Sequence, residues 1–331
     1  MLVSWNTTRQ CHLKCKHCYR DAGLKDQDEL DTAQGKKLIK ELAAAGFKMI
    51  ILSGGEPLLR PDIVELTAYA KESGMRAVFG TTGTLLDLKL AEELKKAGAM
   101  CMGISLDSAD PAMHDGFRQV PGSWEKAVEG MENCIRVGLP FQVHTTVVSE
   151  NYEEFEKITD FAVKIGARAH HIFFLVPTGR GKDIEEDALR QRQYEQLIHR
   201  IFKKQKEVDM EIKPTCAPQF MRVAAQKGEE MRFSRGCLAG RSYCCILPNG
   251  DLHPCPYLPI RVGNVRETNF KELWQESQVL NDLRQPSQGK CGECRYEGLC
   301  GGCRARAYYY SDGDYMAEDP WCVYGGKPQA L

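Results

Sequence analysis

Fifteen cysteines in a chain of 331 residues constrain the fold of this protein more than any other feature of its sequence. An odd number cannot all pair as disulfides, and disulfides persist in oxidising compartments, to which nothing in residues 1–10 directs the chain. One dense group lies near the amino terminus and comprises Cys11, Cys15 and Cys18. Another lies near the carboxyl terminus and comprises Cys291, Cys294, Cys300, Cys303 and Cys322. Such spacing is typical of metal ligands.

The charge and hydropathy of the chain exclude several classes of partner. Its 44 basic and 45 acidic residues leave a net charge of −1, so no basic excess favours a nucleic-acid groove. No apolar run approaches the roughly 18 residues that a membrane helix needs. We therefore expect a cytoplasmic protein that binds neither nucleic acid nor membranes.

Helical and strand patterns alternate along the first half of the chain. Helical periodicity with glycine stops predicts helices at residues 32–45, 61–73, 87–97, 124–137 and 152–165. Short apolar runs predict strands at residues 49–52, 77–79, 100–106, 141–148 and 170–176. This spacing is typical of βα units in a parallel sheet. With residues 2–5 as a first strand we count about six units, short of a closed TIM barrel, so an α/β fold with a partial (β/α)6 barrel is predicted.

The βα rhythm ends near residue 186. A long charged helix is predicted at residues 186–208, and residues 236–331 are turn-rich and show little core-forming periodicity. A segment that is poor in apolar pattern but rich in cysteine usually folds around metal. We therefore predict two domains, a partial barrel at residues 1–200 and a cysteine-rich cluster domain at residues 201–331.

The amino-terminal cysteines have the spacing Cys-x3-Cys-x2-Cys and offer three thiolates. A structural zinc site needs four ligands, so this alternative requires His12 or His17 as the fourth. Iron–sulfur clusters normally take four cysteines, and three cysteines on a four-iron cluster would leave one iron without a protein ligand. An open coordination position is where a metal site does chemistry.

A glycine pair follows the second predicted strand, in the segment Ser53-Gly54-Gly55-Glu56-Pro57. In parallel α/β folds, ligands bind at the carboxyl ends of strands. Two glycines let the backbone approach a ligand closely, and the Glu56 carboxylate can accept a hydrogen bond from an ammonium group. An ordinary turn would explain the segment alone, but its place one unit after the three cysteines favours a ligand site.

Together, Cys-x3-Cys-x2-Cys and Gly-Gly-Glu-Pro resemble the motifs of radical S-adenosylmethionine (SAM) enzymes, and the resemblance covers essentially the whole chain. It implies a catalytic [4Fe–4S] cluster on Cys11, Cys15 and Cys18, whose open iron binds the amino and carboxylate groups of SAM. It also implies reductive cleavage of SAM to a 5′-deoxyadenosyl radical that takes hydrogen from the substrate, with flavodoxin or ferredoxin as electron donor. In such enzymes the protein positions the cofactor and excludes water.

The same resemblance implies SAM-binding roles for residues near several strand ends. The amino group of SAM is assigned to one strand-end segment, which contains Ser53, Gly54, Gly55 and Glu56. His17 matches the aromatic position near adenine, and Thr82 matches a second strand-end motif. Ser105 and Asp107 match the motif near the ribose. Arg118 follows the ribose motif in a pattern that often reaches the SAM carboxylate.

The carboxyl-terminal cysteines resemble the SPASM extension of radical SAM enzymes, which carries one or two auxiliary [4Fe–4S] clusters. The resemblance assigns the first auxiliary cluster to Cys237, Cys255 and Cys303. It assigns the second to Cys291, Cys294, Cys300 and Cys322. The chain departs from the SPASM pattern in one place, since two residues rather than three separate Cys300 from Cys303.

An eighth cysteine would complete the first auxiliary cluster. The two candidates for this ligand are Cys216 and Cys244, and the choice between them stays open. Cys216 is favoured because it lies in a predicted turn between elements, where ligands usually lie. Cys244 lies in an apparent strand at residues 243–247, where one of two adjacent cysteines would point into packing.

Three segments, residues 4–8, 170–181 and 300–308, resemble NirJ-type proteins of siroheme-derived haem biosynthesis. The resemblance implies an iron tetrapyrrole substrate that loses propionate or acetate carbons, in haem or haem d1 biosynthesis. A tetrapyrrole is a flat apolar disc edged by carboxylates, which suits aromatic and cationic side chains. The candidates for these contacts are Phe173, Phe174, Arg180, Lys182, Arg304 and Arg306. His170 or His171 could ligate the iron, although a strand histidine is more often a satisfied core residue.

Two other functions stay open. Peptide maturases of the quinone-cofactor and mycofactocin types share Gly-Gly-Cys-Arg and the Asp-Pro-x-Cys ending, which here spans residues 319–322. They usually carry a leader-binding domain before the barrel, whereas ten residues precede Cys11, so a partner protein would have to present the peptide. A non-catalytic iron–sulfur carrier is the other alternative, but it would not need intact SAM motifs.

Overall fold

The computed structural model describes residues 1–231 and 234–325, and ten strands within these ranges form a single sheet. The strands are β1 (Leu2–Thr8), β2 (Met49–Gly54), β3 (Arg76–Thr81), β4 (Ala99–Ser105), β5 (Phe141–Val147), β6 (Ala169–Phe174), β7 (Glu211–Thr215), β8 (Tyr243–Ile246), β9 (Asp251–His253) and β10 (Gly263–Asn264). Their spatial order is β10-β9-β8-β1-β2-β3-β4-β5-β6-β7.

All pairings from β8 through β1 to β7 are parallel, while β8–β9 and β9–β10 are antiparallel. The carboxyl ends of β1 to β6 therefore meet at one edge of the sheet, where loops in this class of fold bind ligands. The predicted α/β class with a partial barrel is confirmed.

Twelve helices in the described ranges accompany the sheet. They are α1 (Thr32–Ala44), α2 (Ile63–Glu72), α3 (Leu88–Ala97), α4 (Pro111–Arg118), α5 (Ser123–Val137), α6 (Phe155–Lys164), α7 (Gln191–Gln205), α8 (Gln219–Lys227), α9 (Phe270–Glu276), α10 (Gln278–Leu283), α11 (Gly289–Gly292) and α12 (Arg304–Tyr310). The helices predicted between residues 32 and 165 are confirmed to within a few residues. The long helix predicted at residues 186–208 is the shorter α7.

Local chemistry explains where these helices begin and end. Asp31 and Gln34 form a capping box at the start of α1, and Asp87 caps α3 by accepting from the backbone of Leu90. Gly98 ends α3 in the left-handed conformation that glycine adopts without steric cost.

The sequence did not predict α4 or β7. Helix α4 starts at Asp110, which accepts from Met113, with Pro111 in the first turn. Strand β7 contains Pro214, which is tolerated because β7 lies at the edge of the sheet.

Strand β5 shows how the sheet separates its two faces. Phe141, Val143 and Val147 are buried and pack on the side where the helices lie, whereas Gln142 and His144 are only partly buried and face the other way. This alternation follows from the two-residue period of a strand. The side away from the helices is the interior of the partial barrel.

The two edges of the sheet approach each other. Cys216 follows β7 at one edge, and Cys255 follows β9 near the other. Burial raises the pKa of Cys255, and charges on nearby thiols that include Cys216 raise it further. The sheet therefore curls enough to bring Cys216 and Cys255 near each other.

Residues 236–331 show little core-forming periodicity in the sequence, yet parts of this segment belong to the core. Phe270 and Trp274 of α9 pack edge-on against Phe47, with ring centroids 5.1 Å away in both cases. Leu280 and Leu283 of α10 join the same core as the barrel residues. Helices of six and seven residues are too short to display a helical period in the sequence. The domain boundary after residue 200 stays a prediction, and residues 326–331 of the second predicted domain lie outside the described ranges.

No helix in residues 1–231 and 234–325 is long and apolar enough to cross a membrane.

Candidate active site

The three amino-terminal cysteines lie in the loop between β1 and α1. Backbone hydrogen bonds close this loop, because the Cys11 amide donates to Gly23 at 2.9 Å. Other bonds fasten it to the end of α4, since the Lys14 amide donates to the Arg118 carbonyl at 3.3 Å. Helix α4, which the sequence did not predict, therefore holds the cysteine loop in place through its carboxyl-terminal end.

The thiols of Cys11, Cys15 and Cys18 lie close together. Burial is the main reason why the pKa of Cys11 rises to about 12, and the charges of Glu56, Cys15 and Cys18 act in the same direction. Thiols this close become thiolates together when cations offset their repulsion, as the irons of a cluster do.

Amide groups already point at two of these sulfurs. The Leu13 amide donates to Cys11 Sγ and the Ala22 amide to Cys18 Sγ, both at 3.4 Å. Among the described residues no three His, Cys, Asp or Glu side chains are arranged to ligate one metal ion.

The two histidines that a zinc site would recruit are engaged elsewhere. His12 Nε2 lies 2.6 Å from Thr84 Oγ1, and the His17 ring stacks on Phe117 with 4.3 Å between centroids. Burial, then Arg118, lowers the pKa of His17 to about 3, so its ring is neutral. Its buried Nδ1 has no hydrogen-bond partner in the described part of the chain. An unpaired ring nitrogen fits the predicted place of His17 beside the adenine of SAM.

Arg118 connects the cysteine loop to the end of β4. Its Nε donates to Asp107 at 2.6 Å and its Nη1 lies 3.6 Å from Cys15 Sγ. Burial is the largest influence on Asp107 and opposes its ionisation, but Arg118, His17 and His114 together outweigh burial, so the pKa of Asp107 is lowered. The guanidinium is therefore a fixed cation beside a predicted cluster ligand, and its contact with the SAM carboxylate stays a prediction.

Glu56 ties the ends of β2 and β3 together. Its fully buried carboxylate accepts from Thr81 Oγ1, from the amide and hydroxyl of Thr82, and from the Leu58 amide, at 2.6 to 3.0 Å. Four donors occupy the acceptor sites of the two oxygens. A contact between this carboxylate and an ammonium group would require it to release one of these bonds.

Gly54 and Gly55 let the end of β2 lie directly against the cysteine loop. A Cβ at Gly54 would lie 2.4 Å from the Thr8 carbonyl oxygen, and one at Gly55 would lie 2.3 Å from that of Gln10. Gly54 also has a φ of 136°, which other residues rarely adopt. In this structure the glycine pair approaches the cysteine loop itself.

The remaining residues predicted to bind SAM lie at the same edge of the sheet. The Ser105 hydroxyl donates to the Thr81 carbonyl at 3.3 Å, and Ser53 Oγ lies 3.0 Å from where a Cβ would stand on Gly80. Thr82 is held by Glu56. The structure therefore brings the predicted SAM residues of β2, β3 and β4 together, while their contacts with SAM stay predictions.

A second group of thiols gathers Cys216 with the three cysteines assigned to the first auxiliary cluster. Burial is the main reason why the pKa of Cys216 is raised, and the nearby Cys303 and Cys237 raise it further. The pKa of Cys255 is raised by burial and by Cys303, Cys237 and Cys216. Cys216 has a positive φ of 60°, which a residue other than glycine seldom adopts. Cys244 is fully buried in β8, and Cys245 is the only thiol among the causes of its raised pKa. The geometry favours Cys216 as the fourth ligand.

A third group contains the cysteines assigned to the second auxiliary cluster. Burial raises the pKa of Cys300, and the nearby Cys322 and Cys291 raise it further. The Asp319 amide donates to Cys291 Sγ at 3.4 Å. Cys294 follows one turn after Cys291, and its sulfur accepts from the Tyr296 amide at 3.5 Å. Three of the four predicted ligands converge, and the role of Cys294 stays a prediction.

A buried ion pair stands between the two carboxyl-terminal thiol groups. Arg306 and Asp319 are both fully buried, with 2.6 Å between Nη2 and Oδ2. Arg306 also donates to the Cys216 carbonyl, and Asp319 accepts from the Cys303 amide at 2.7 Å. The pair therefore fixes the backbone at two predicted ligands of the first auxiliary cluster.

Replacing Asp319 with alanine is expected to destabilise the protein by about 3–5 kcal/mol, because Arg306 would remain as an unpaired buried charge. The change is measured as a shift of the unfolding midpoint under anaerobic conditions. The matched control is Asp209→Ala, since Asp209 is exposed and its loss should change stability by no more than about 0.5 kcal/mol. Equal midpoints for the two variants would contradict the structural role of the pair.

Several cations predicted to meet substrate carboxylates have other partners. Arg306 belongs to the buried ion pair just described. Arg304 is also buried and donates a hydrogen bond to the Ala317 carbonyl at 2.7 Å. Arg180 donates one to the Cys15 carbonyl at 3.0 Å. The substrate role predicted for Arg304 and Arg306 was wrong, because both are buried against these partners and a sequence shows a charge but not its burial. Arg180 is only partly buried, and its substrate role stays a prediction. Lys182 is exposed.

The strand residues predicted to face the substrate divide between the two sides of β6. Phe174 is buried against Tyr194, with 4.7 Å between ring centroids, so it belongs to the core. His170 is a satisfied core residue, because its two ring nitrogens lie 2.8 and 3.0 Å from the hydroxyls of Thr145 and Thr159. Phe173 faces the barrel interior and packs against His144, a residue that the sequence did not single out.

Comparison with known proteins supports the same architecture. The model of the radical SAM superfamily matches residues 5–162, and that of the SPASM iron–sulfur cluster-binding domain matches residues 237–304. An AdoMet-dependent heme synthase of Methanosarcina barkeri is 40% identical over 98% of this chain and 96% of its own length. A mycofactocin maturase of Mycobacterium tuberculosis is 31% identical over 99% of this chain and 84% of its own.

A solved structure shows the same fold at low sequence identity. Streptococcus suis SuiB bound to its precursor peptide SuiA superposes with a TM-score of 0.79 at 17% identity, covering 98% of this chain and 76% of that one. The two family models confirm the predicted [4Fe–4S] clusters and SAM as the cofactors of this kind of enzyme. The chain belongs to the radical SAM superfamily and is an enzyme with a carboxyl-terminal SPASM domain.

Proposed function

We propose that this enzyme removes carbon from the propionate or acetate side chains of an iron tetrapyrrole, in haem or haem d1 biosynthesis. One observation carries the proposal: the AdoMet-dependent heme synthase of M. barkeri matches both the barrel and the SPASM domain at 40% identity. The mycofactocin maturase matches over a similar length at 31%. This chain is therefore more similar in sequence to the heme synthase than to the maturase.

The residues at the barrel edge have separable tasks in this proposal. Cys11, Cys15 and Cys18 would hold the catalytic cluster, and Arg118 would keep the Cys15 sulfur and Asp107 in fixed positions. When bound, the cluster and SAM supply a radical that removes one hydrogen atom from the substrate. Glu56 and the glycine pair hold the strand ends against the cysteine loop.

The interior face of β5 and β6 offers a surface that suits a flat tetrapyrrole. Its partly buried side chains are a mixture of aromatic and polar groups, namely Gln142, His144, Thr146, His171 and Phe173. Aromatic and imidazole faces favour a flat conjugated ring. Lys213 stands next to His171 in the register of β7, so a basic side chain lies beside this surface.

The proposed chemistry balances in atoms and electrons. Converting a propionate side chain into a vinyl group releases one hydrogen atom, carbon dioxide and one electron. That electron needs an acceptor, and the carboxyl-terminal cysteines are the residues of this chain that would hold one. Flavodoxin or ferredoxin is our proposed donor for the catalytic cluster. Because such clusters need a reducing compartment, we propose the cytoplasm as the location.

The test is anaerobic incubation of reconstituted enzyme with SAM, dithionite and iron-coproporphyrin or didecarboxysiroheme, followed by mass spectrometry. Counted from the neutral acid, we expect a product that has lost carbon dioxide and two hydrogens per modified propionate, of which one is the abstracted hydrogen atom and the other is the carboxyl proton. Modification of an acetate side chain should remove its carbons. The Cys15→Ala variant serves as the control and should give no product. Cleavage of SAM with both tetrapyrroles unchanged would overturn the proposal and favour a peptide substrate.

A further inference from the structure

A pair of histidines faces the interior of the barrel on two neighbouring strands. In the register of the sheet, His144 of β5 stands beside His171 of β6, and His171 stands beside Lys213 of β7. His170, the next residue along β6, points to the opposite face and is used by the core. The two-residue period of the strand therefore puts His171 where substrate would lie.

The imidazole rings of this pair are stacked. Their centroids are 5.0 Å apart with an angle of 6° between the planes. The stack depends on Gly103 of β4, since a Cβ there would stand 2.2 Å from His144 Cε1. A glycine that makes room for a ring indicates that His144 has a fixed place.

The two rings differ in their hydrogen bonds. His144 Nε2 lies 3.3 Å from the Gln142 side-chain oxygen, which can only accept, so this nitrogen carries the proton of the bond. His171 makes no hydrogen bond to any residue within the described ranges. Of the two, His171 is therefore the ring whose nitrogens are available to a ligand.

The environment keeps both rings neutral. Burial, then Lys213 and Arg118, lower the pKa of His144 to about 4. Burial, His144 and Lys213 lower the pKa of His171 well below its usual value. A neutral imidazole offers a lone pair, which binds a transition metal, whereas a protonated one would pair with a carboxylate. The chemistry of this position therefore favours iron over the carboxylates of the substrate.

We propose that His171 is an axial ligand to the iron of the tetrapyrrole substrate, with His144 stacked against it to fix the ring. Histidine is a frequent axial ligand of haem iron. Ligation at this point would hold the macrocycle in the barrel interior, with its side chains directed to the strand ends where SAM is expected. The inference rests on the proposed function and adds a residue that determines how the substrate is bound.

The experiment uses reconstituted enzyme without SAM, so that no turnover occurs, and titrates it with ferric iron-coproporphyrin and with metal-free coproporphyrin. Absorption and electron paramagnetic resonance spectra of the wild type should show a nitrogen-ligated iron. His171→Phe keeps a ring on the stack but removes the nitrogens. It should lose that spectrum and bind the iron form at least about tenfold more weakly, the loss that removing even the partner of a metal ligand produces.

Three controls make the result specific. Binding of metal-free coproporphyrin should be the same in wild type and His171→Phe. His144→Phe, which preserves the stack, should keep the nitrogen-ligated spectrum. Added imidazole should restore this spectrum in His171→Gly, and an iron content and an unfolding midpoint close to those of the wild type will show that the variants are folded.

The possible outcomes separate this inference from the proposed function. An unchanged iron spectrum in His171→Phe, or an equal loss of iron and metal-free porphyrin, would overturn the ligation while leaving the substrate class intact. Failure of the wild type to bind either porphyrin would overturn both.

Discussion

Replacing Cys15 with alanine is expected to abolish the reductive cleavage of SAM, lowering 5′-deoxyadenosine formation to the level without enzyme. Cys15 is one of three clustered thiols, and its sulfur accepts a hydrogen bond from the Arg118 guanidinium. Its loss would remove a ligand from the catalytic cluster and leave this guanidinium without its sulfur partner. The measurement is chromatographic detection of 5′-deoxyadenosine after anaerobic reconstitution, together with the iron content of the protein.

Cys101→Ala is the matched control for this prediction. Cys101 lies on β4, is partly buried, and stands apart from the three thiol groups. Its replacement should leave both iron content and SAM cleavage near the wild-type level. Cleavage that survives in Cys15→Ala but is lost in Cys101→Ala would place the active cluster elsewhere.

The second large effect is expected from Cys216→Ala. The thiol of Cys216 lies with those of Cys237, Cys255 and Cys303, so its loss should remove one auxiliary cluster and the iron that it contains. We expect cleavage of SAM to continue, because the cysteine loop after β1 is intact. Formation of the modified tetrapyrrole should fall by at least about tenfold, the effect typical of a damaged metal site.

Cys244→Ala provides the comparison, because Cys244 was the competing candidate and is fully buried in β8. Shortening a buried cysteine side chain to the methyl group of alanine costs some stability, but at this position it removes no ligand. Its iron content should match that of the wild type. Loss of iron in Cys244→Ala and normal iron in Cys216→Ala would reverse our assignment of the fourth ligand.

The sequence predicted the parts of the molecule that depend on local pattern. Helix α1 and strand β2 follow from periodicity and from the glycines and caps around them. The three amino-terminal cysteines and the Gly54–Glu56 segment were recognisable because short spacings carry their chemistry. Strand β7 escaped prediction because its residues Glu-Ile-Lys-Pro-Thr contain a single apolar aliphatic side chain and a proline.

The parts that could not be predicted depend on contacts between distant residues. Arg306 was expected to meet the substrate, but its partner Asp319 comes from a separate segment that folds back over it. The choice between Cys216 and Cys244 depends on how far the sheet curls, which no local pattern encodes. His144 was overlooked because its meaning lies in its register with His171 on the next strand.

The central claim is that one iron of the amino-terminal cluster has no protein ligand and binds SAM. Electron–nuclear double resonance on the dithionite-reduced enzyme, recorded with SAM labelled isotopically in its amino and carboxylate groups, tests this claim most directly. We predict that SAM changes the signal of the catalytic cluster and that the label couples to it, and that Cys15→Ala shows neither effect. A cluster signal that is indifferent to SAM, or a fourth side chain on that iron, would contradict the claim.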